Sequence, residues 1–164
     1  MRVVVPRALS FKIKSSVLDS IRGQDVGVEL VEVCGPDPLN FDKRSSETAA
    51  RNKCLAYIKG EEYAVMNDAD TYHLRSDNLS AMLKFLEENR DWGGVVCFGG
   101  LIRKSDLEPQ HLPYRSLMMR KEAWDVVNFE RGAKSCTCES VSESVRSAGF
   151  RYGYLDSLRR VCEI

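Results

Sequence analysis

Gly60-Glu61-Glu62-Tyr63-Ala64-Val65-Met66-Asn67-Asp68-Ala69-Asp70 is the stretch on which the fold of this chain turns. Tyr63 to Met66 is a short, unbroken apolar run, the mark of a strand buried on both faces in a parallel sheet. It passes without a spacer into a polar turn in which Asp68 and Asp70 are separated by one residue. Ligands of open α/β sheets bind beyond the carboxyl ends of the strands. A strand ending in Asp-x-Asp therefore brings two carboxylates to the place where ligands dock. Two hard oxygen donors on one tight turn suit a divalent cation, Mn2+ or Mg2+, of the kind that bridges the phosphates of a nucleotide. By itself the pattern is short, and Asp70 and the nearby Asp77 also suit turn and helix-capping positions.

Outward from this strand the chain alternates strand and helix. Val3-Val4-Val5, ended by Pro6, is a second buried run. Val17, Leu18 and Ile21, stopped by Gly23, predict a helix over about 14–22. Val26 to Val33 alternates into a strand that ends at Cys34-Gly35-Pro36. Ala50, Cys54, Tyr57 and Ile58 recur at helical spacing between a cap at Ser45 or Ser46 and a stop at Gly60, with Arg51 and Asn52 beside that stripe. Leu79, Met82, Leu83 and Leu86 form one face of a helix capped by Ser76 or Asp77, and Gly94 to Phe98 is a fourth strand. Ser116 to Met119 reads as a strand, 121–127 as a short helix, Val141, Val145 and Ala148 as a helix ended by Gly149, and 151–155 as a last strand. Residues 99–114 read as a long loop, and loops of that length inside compact domains tend to be functional. The alternation predicts an α/β fold with a mostly parallel central sheet flanked by helices and right-handed crossovers. With no internal repeat or linker, a single domain over residues 1–164 is expected.

Composition narrows the function. Lys plus Arg, 24, equals Asp plus Glu, 24, so the net charge is zero and no bulk nucleic-acid binding is expected. No apolar run reaches the roughly 18–20 residues of a membrane span, so no transmembrane segment is expected. The start of the chain, with Pro6 following three valines, does not read as a signal peptide, and a cytoplasmic protein is expected. The six cysteines are scattered, only Cys136 and Cys138 being close, which fits small reduced hydrophobes better than a zinc site or a disulfide framework.

The order of these motifs resembles the family-2-type glycosyltransferases with the GT-A fold. Val3-Val4-Val5-Pro6 is similar to that family's opening strand and proline. Ser20 to Gln24, followed by Val28-Glu29-Leu30-Val31, resembles its Ser-x-x-x-Gln helix end and next strand. Ala50-Arg51-Asn52 matches its helix before the metal strand, and the stretch from Gly60 to Asp70 matches the glycine, acid, tyrosine, apolar strand and Asp-x-Asp. Residues 116–124 and 139–153 look like its acceptor-side elements. The resemblance implies a GT-A-like, Rossmann-like domain that binds a nucleotide diphosphate sugar as donor and a glycan or other hydroxyl as acceptor. It implies that Asp70 ligates the metal, that Asp68 reaches the metal through water or holds the donor's ribose, and that Pro6, Arg51 and Asn52 border the nucleotide. Glu139 is the acid nearest to the family's catalytic carboxylate, which takes the proton of the acceptor hydroxyl. Glu139 and Glu143 also suit a solvated helix face, with Glu143 able to pair with Arg146.

The chain departs from that pattern in three places. Cys34-Gly35-Pro36 stands where the family has Asp-x-Gly-Ser, Cys138-Glu139 where it has a pair of acids, and Val161-Cys162-Glu163 where it often has a metal-binding histidine. Trp92 and Trp124 read as core anchors rather than sugar platforms. His73 reads as a surface or helix-approach residue, with a phosphate contact as the alternative. Arg103, Lys104, His111 and Arg115 read as a solvated loop or as cations that close over a diphosphate. Two other functions remain open: a nucleotide-sugar binding module without turnover, and a nucleotidyltransferase. The latter calls for a glycine-rich basic loop after the first strand, and Pro6-Arg7-Ala8-Leu9-Ser10 lacks the glycines.

Overall fold

A computed structural model describes residues 1–36, 43–97, 115–129, 137–155 and 161–163, of which 43–47, 97 and 161–163 are described by their backbone alone. The elements are β1 (Arg2–Arg7), α1 (Ser15–Arg22), β2 (Glu29–Cys34), α2 (Lys43–Ile58), β3 (Tyr63–Asn67) and α3 (Asn78–Glu88). They continue with β4 (Trp92–Cys97), β5 (Ser116–Arg120), α4 (Lys121–Trp124), α5 (Thr137–Ser147), β6 (Arg151–Leu155) and β7 (Val161–Glu163).

The strands form one sheet in the order β2-β1-β3-β5-β4-β6-β7. β1 pairs in parallel with β2 and β3, and β4 in parallel with β6, whereas β5 runs antiparallel between β3 and β4 and β7 antiparallel beside β6. The sheet is therefore mostly parallel, as expected. β5 and β7 are the two reversed strands. From β1 the chain crosses to β2 on one side and then to β3 on the other, so the strand order reverses at β1. β1 and β3 pair only from Arg2↔Ala64 to Val4↔Met66 and are no longer paired at Pro6 and Asn67. The two strands thus open a crevice at their carboxyl ends, where ligands of such sheets bind. Pro6, buried, lies beyond the last β1–β3 pair, where its missing N–H interrupts no bond to β3.

The two-residue alternation of the strands sorts the core into two layers. Val3, Val5, Val65 and Met118 pack with Val17 and Ile21 of α1 and Leu79, Met82 and Leu86 of α3. Val4, Ala64, Met66, Val96 and Leu117 pack with Cys54 and Ile58 of α2, Ala123 and Trp124 of α4 and Val141 and Val145 of α5. All five residues of β3 are buried, which explains its unbroken apolar run. α5 stops where Gly149 takes φ +86, while Phe150 N–H bonds back to Val145 C=O at 3.2 Å, a left-handed helix end that favours glycine. The short turn there reverses the chain into β6, so the first turn of α5 lies toward the carboxyl end of the parallel strands. Trp92 and Trp124 are both 4% exposed and anchor the two layers, Trp92 edge-on to Phe85 and Trp124 through an indole N–H bonded to Ala64 C=O at 3.1 Å. No helix among the described residues is long and apolar enough to cross a membrane.

Candidate functional site

The site is built on the turn that leaves β3. Asp68 C=O accepts the Thr71 N–H at 3.0 Å, closing a four-residue turn that presents Asp68 and Asp70 together. Asn67, fully buried, clamps that turn from inside: its amide donates to Asp68 C=O at 2.9 Å and to Thr71 C=O at 2.8 Å. With both amide hydrogens directed there, Asn67 Oδ1 is left as an acceptor, and His73 Nε2–H donates to it at 3.1 Å. His73 Nδ1 then accepts from the Asn78 amide at 3.3 Å at the start of α3, and Ser116 Oγ of β5 lies 3.5 Å from Nε2. His73 is thus a buried imidazole behind the turn that meets the start of α3, in keeping with the helix-approach reading and not with the surface or phosphate-facing ones. Burial drives its pKa down to about 4, so it is neutral.

The same loop is fastened to α1. Ser20 Oγ accepts the His73 N–H at 3.0 Å. Gln24 donates to Arg75 C=O at 2.8 Å and accepts the Leu79 N–H at 3.0 Å, satisfying an orphan donor of the first turn of α3. The Ser-x-x-x-Gln helix end therefore has a physical task, holding the loop that carries the aspartates.

Two guanidiniums converge on the carboxylates. Arg51, 6% exposed on α2, donates from Nη2 to Asp68 Oδ1 at 2.9 Å, with Nη1 3.7 Å from Met66 Sδ. The helix comes close enough because Gly35 backs onto it: a Cβ at Gly35 would lie 2.6 Å from Ala50 Cβ, leaving no room for a side chain. Arg115, the residue before β5, approaches with its Nη1 3.8 Å from Asp68 Oδ2 and 3.7 Å from Asp70 Oδ2. Burial pushes the Asp68 carboxyl up; Arg51, by charge and hydrogen bond, and Arg115 pull it back, while Asp70 adds to the rise. The hydrogen-bonded contact with Arg51 is the strongest influence favouring the charged form of Asp68. Asp70 is more open, and its Oδ1 accepts the Thr71 hydroxyl at 3.4 Å.

One oxygen of each aspartate therefore faces the same positive charge. Asp68 can offer only Oδ2 without giving up Arg51. Among the described residues no group of three His, Cys, Asp or Glu side chains forms a closed metal site. Two carboxylate oxygens are donors of the kind that suit Mg2+ and Mn2+, which keep further positions for water and phosphate.

The remaining expected residues lie on α2, on α5 and at the end of β2. Asn52 is half-buried on α2 beside Arg51. Glu139, half-buried in the first turn of α5, borders a cavity of about 440 Å³ that Ser142, Glu143, Arg146 and Ser147 also line. No hydrogen bond or ion pair among the described residues joins Glu139 to Asp68 or Asp70. Cys34 is half-buried at the end of β2, and Cys138 packs against the core layer of α5. Cys54 is buried, which pushes its thiol up to about 12 while Arg51 pulls it back. Arg103, Lys104, His111 and Cys136 lie outside the described residues, as does the Cys162 side chain; the backbone of 161–163 forms β7, which the sequence did not predict. The residues whose part in holding the turn sequence reasoning missed are Asn67, His73, Ser20 and Gln24. The signal for the first two was their position flanking Asp-x-Asp.

No family model matches the chain, and no curated protein sequence matches it. Solved structures do. The mannosyltransferase PcManGT from Pyrobaculum calidifontis, in complex with GDP-Man and Mn2+, is similar with a TM-score of 0.66 and 16% identity over 92% of this chain and 53% of that one. S. aureus TarS is similar with a TM-score of 0.67 and 17% identity over 95% of this chain and 35% of that one. The CMP:2-keto-3-deoxy-manno-octonic acid synthetase complexed with CTP has a TM-score of 0.56 and 10% identity over 94% of this chain and 88% of that one. This chain spans about half or less of the first two. At these identities the likeness is one of fold, and that fold is the GT-A-like, Rossmann-like α/β sheet.

Proposed function

We propose that this chain transfers a sugar from a nucleotide diphosphate donor to an acceptor hydroxyl, with Mn2+ or Mg2+ bound by the Asp68/Asp70 turn. The observation that carries this reading is the convergence of Asp68 Oδ2 and Asp70 Oδ2 on one positive charge beside the β1/β3 crevice. Support comes from the solved mannosyltransferase of the same fold that holds GDP-Man and Mn2+.

Asp70 is the direct ligand in this reading. Asp68 contributes Oδ2 directly or through a water, its orientation fixed by Arg51. A bound divalent cation neutralises charge that develops on the diphosphate leaving group. Arg51 and Asn52 border the nucleotide, and the end of β1 at Pro6 forms the other wall of the crevice. Glu139 takes the proton of the acceptor hydroxyl as its oxygen bonds to the sugar carbon and the bond to the diphosphate oxygen breaks, as in an inverting transfer. Ser142, Glu143 and Arg146, which line its cavity, bring hydroxyl, carboxylate and guanidinium groups that suit a hydroxyl acceptor.

Two measurements test the reading. UDP or GDP should raise the melting temperature only with Mn2+ present, and Asp70→Asn should abolish that shift. Release of sugar from a nucleotide-sugar panel should fall at least about a hundredfold in Glu139→Gln with nucleotide binding unchanged. Turnover absent from both proteins would instead identify a binding module. The synthetase likeness keeps a nucleotidyltransferase in view. Against it, Arg7, the last residue of β1, is engaged by the carbonyls of Ala8, Leu9 and Phe11, each at 3.3 Å, and by Glu32 at 3.4 Å, so it is not turned to a phosphate. Pyrophosphate release from CTP would reverse that preference.

A further inference from the structure

Arg115 is the cation that the aspartate pair faces. Its Nη1 straddles Asp68 Oδ2 at 3.8 Å and Asp70 Oδ2 at 3.7 Å. The other two carboxylate oxygens are directed elsewhere, Asp68 Oδ1 to Arg51 at 2.9 Å and Asp70 Oδ1 to the Thr71 hydroxyl at 3.4 Å. Arg115 therefore faces the two oxygens that a cation would use.

Its main chain is held in place. The Asp68 N–H donates to Arg115 C=O at 2.8 Å, extending by one residue the antiparallel register in which Asn67 faces Ser116. The side chain, by contrast, is 56% exposed, so it can leave the carboxylates without opening a buried hole. A divalent cation about 2.1 Å from both oxygens and a guanidinium nitrogen under 4 Å from the same oxygens would be crowded like charges. Both cannot hold the pair at once.

We infer that Arg115 is the resident countercharge of the Asp68/Asp70 pair, a positioning residue that a divalent cation must displace in order to bind. This rests on the cation reading of the two aspartates proposed above. It makes the apparent metal affinity of the wild-type chain lower than the carboxylates alone would give. Exposed guanidinium–carboxylate pairs are weak, so the handicap is about three- to tenfold rather than a block.

The test uses Mn2+ alone as probe, titrated into wild type, Arg115→Gln, Arg115→Lys, Asp70→Asn and the Arg115→Gln/Asp70→Asn double variant, with free Mn2+ read by electron paramagnetic resonance. Arg115→Gln should bind Mn2+ about three- to tenfold more tightly than wild type, a direction that mere loss of a structural contact would not produce. Arg115→Lys, which keeps the charge, should stay close to wild type, and the gain should vanish in the double variant. If Arg115→Gln binds no more tightly than wild type while Asp70→Asn loses binding, the inference is overturned and the cation site stands. If Asp70→Asn binds as well as wild type, or neither wild type nor Arg115→Gln binds, the cation reading fails and the inference with it.

Discussion

Acid should loosen this protein through His73, and by an amount the structure lets one work out. The imidazole is 9% exposed and donates to Asn67 while accepting from Asn78. Protonating Nδ1 would set an N–H against the Asn78 amide and put a charge in a desolvated site. Burial accordingly lowers its pKa from 6.5 to about 4. Because the folded value lies below the unfolded one, the unfolded chain binds more protons between these limits. Stability is then complete above about pH 6.5, declines as pH falls and levels out below about pH 4. At about 1.4 kcal/mol per pH unit the full window amounts to about 3 kcal/mol, of which about 2 kcal/mol is lost at pH 5. Urea unfolding midpoints from pH 7.5 to 4, compared between wild type and His73→Gln, isolate this contribution, since the variant keeps an amide donor and cannot titrate. The chain has two histidines, so the imidazole resonance that disappears in His73→Gln reports the pKa directly. A His73 resonance titrating near 6.5, or parallel pH dependences of the two proteins, would refute the reasoning.

Two further perturbations probe how the frame around the site is held. Arg120, 5% exposed, donates to the carbonyls of Trp92, Leu86 and Asn89, tying the end of α3 to β4 and β5; Arg120→Met should cost about 3 kcal/mol in urea unfolding, since the carbonyls lose a charged donor. Gly93 sits at a register shift between Trp92 and Gly94, and a Cβ there would lie 2.8 Å from Phe150 Cβ, 2.9 Å from Val145 Cγ1 and 3.0 Å from Ala123 Cβ. Phe150 Cβ and Ala123 Cβ cannot rotate away, so Gly93→Ala should cost about 1–3 kcal/mol by the same measurement, and an unchanged midpoint would show that α4 and α5 yield.

Most of the frame was legible because it is periodic. Tyr63 to Met66, Leu79/Met82/Leu86 and Val141/Val145 announce their elements by spacing alone, and each is buried as that spacing demands. The direction of β5 was not legible, because a buried apolar run reads the same in either orientation. That direction decides the site. Only an antiparallel β5 beside β3 sets Ser116 opposite Asn67, and hence Arg115 beside Asp68, although the two are far apart in sequence. The surface reading of His73 failed for a related reason. A lone polar residue in a loop looks solvated until its partners, Asn67 of β3, Asn78 of α3 and Ser116 of β5, are brought together by tertiary structure. Asp68, Asp70 and Arg51 were legible because the strand end and the helix stripe point them the same way.

The charges of the site argue for how its ligands would arrive. Asp68 and Asp70 bring two negative charges, and Arg51 and Arg115 bring two positive ones, so the cluster is balanced as it stands. A divalent cation alone would leave an excess of positive charge next to a guanidinium it has just displaced. A diphosphate alone would meet carboxylates already paired and Arg115 turned toward them. Taken together, the cation satisfies the aspartates and the diphosphate satisfies both the cation and the released Arg115. On the proposed reading, metal and nucleotide therefore bind as a coupled pair, each raising the affinity of the other by the same factor. Removing Arg115 should weaken that coupling even as it strengthens binding of the metal by itself.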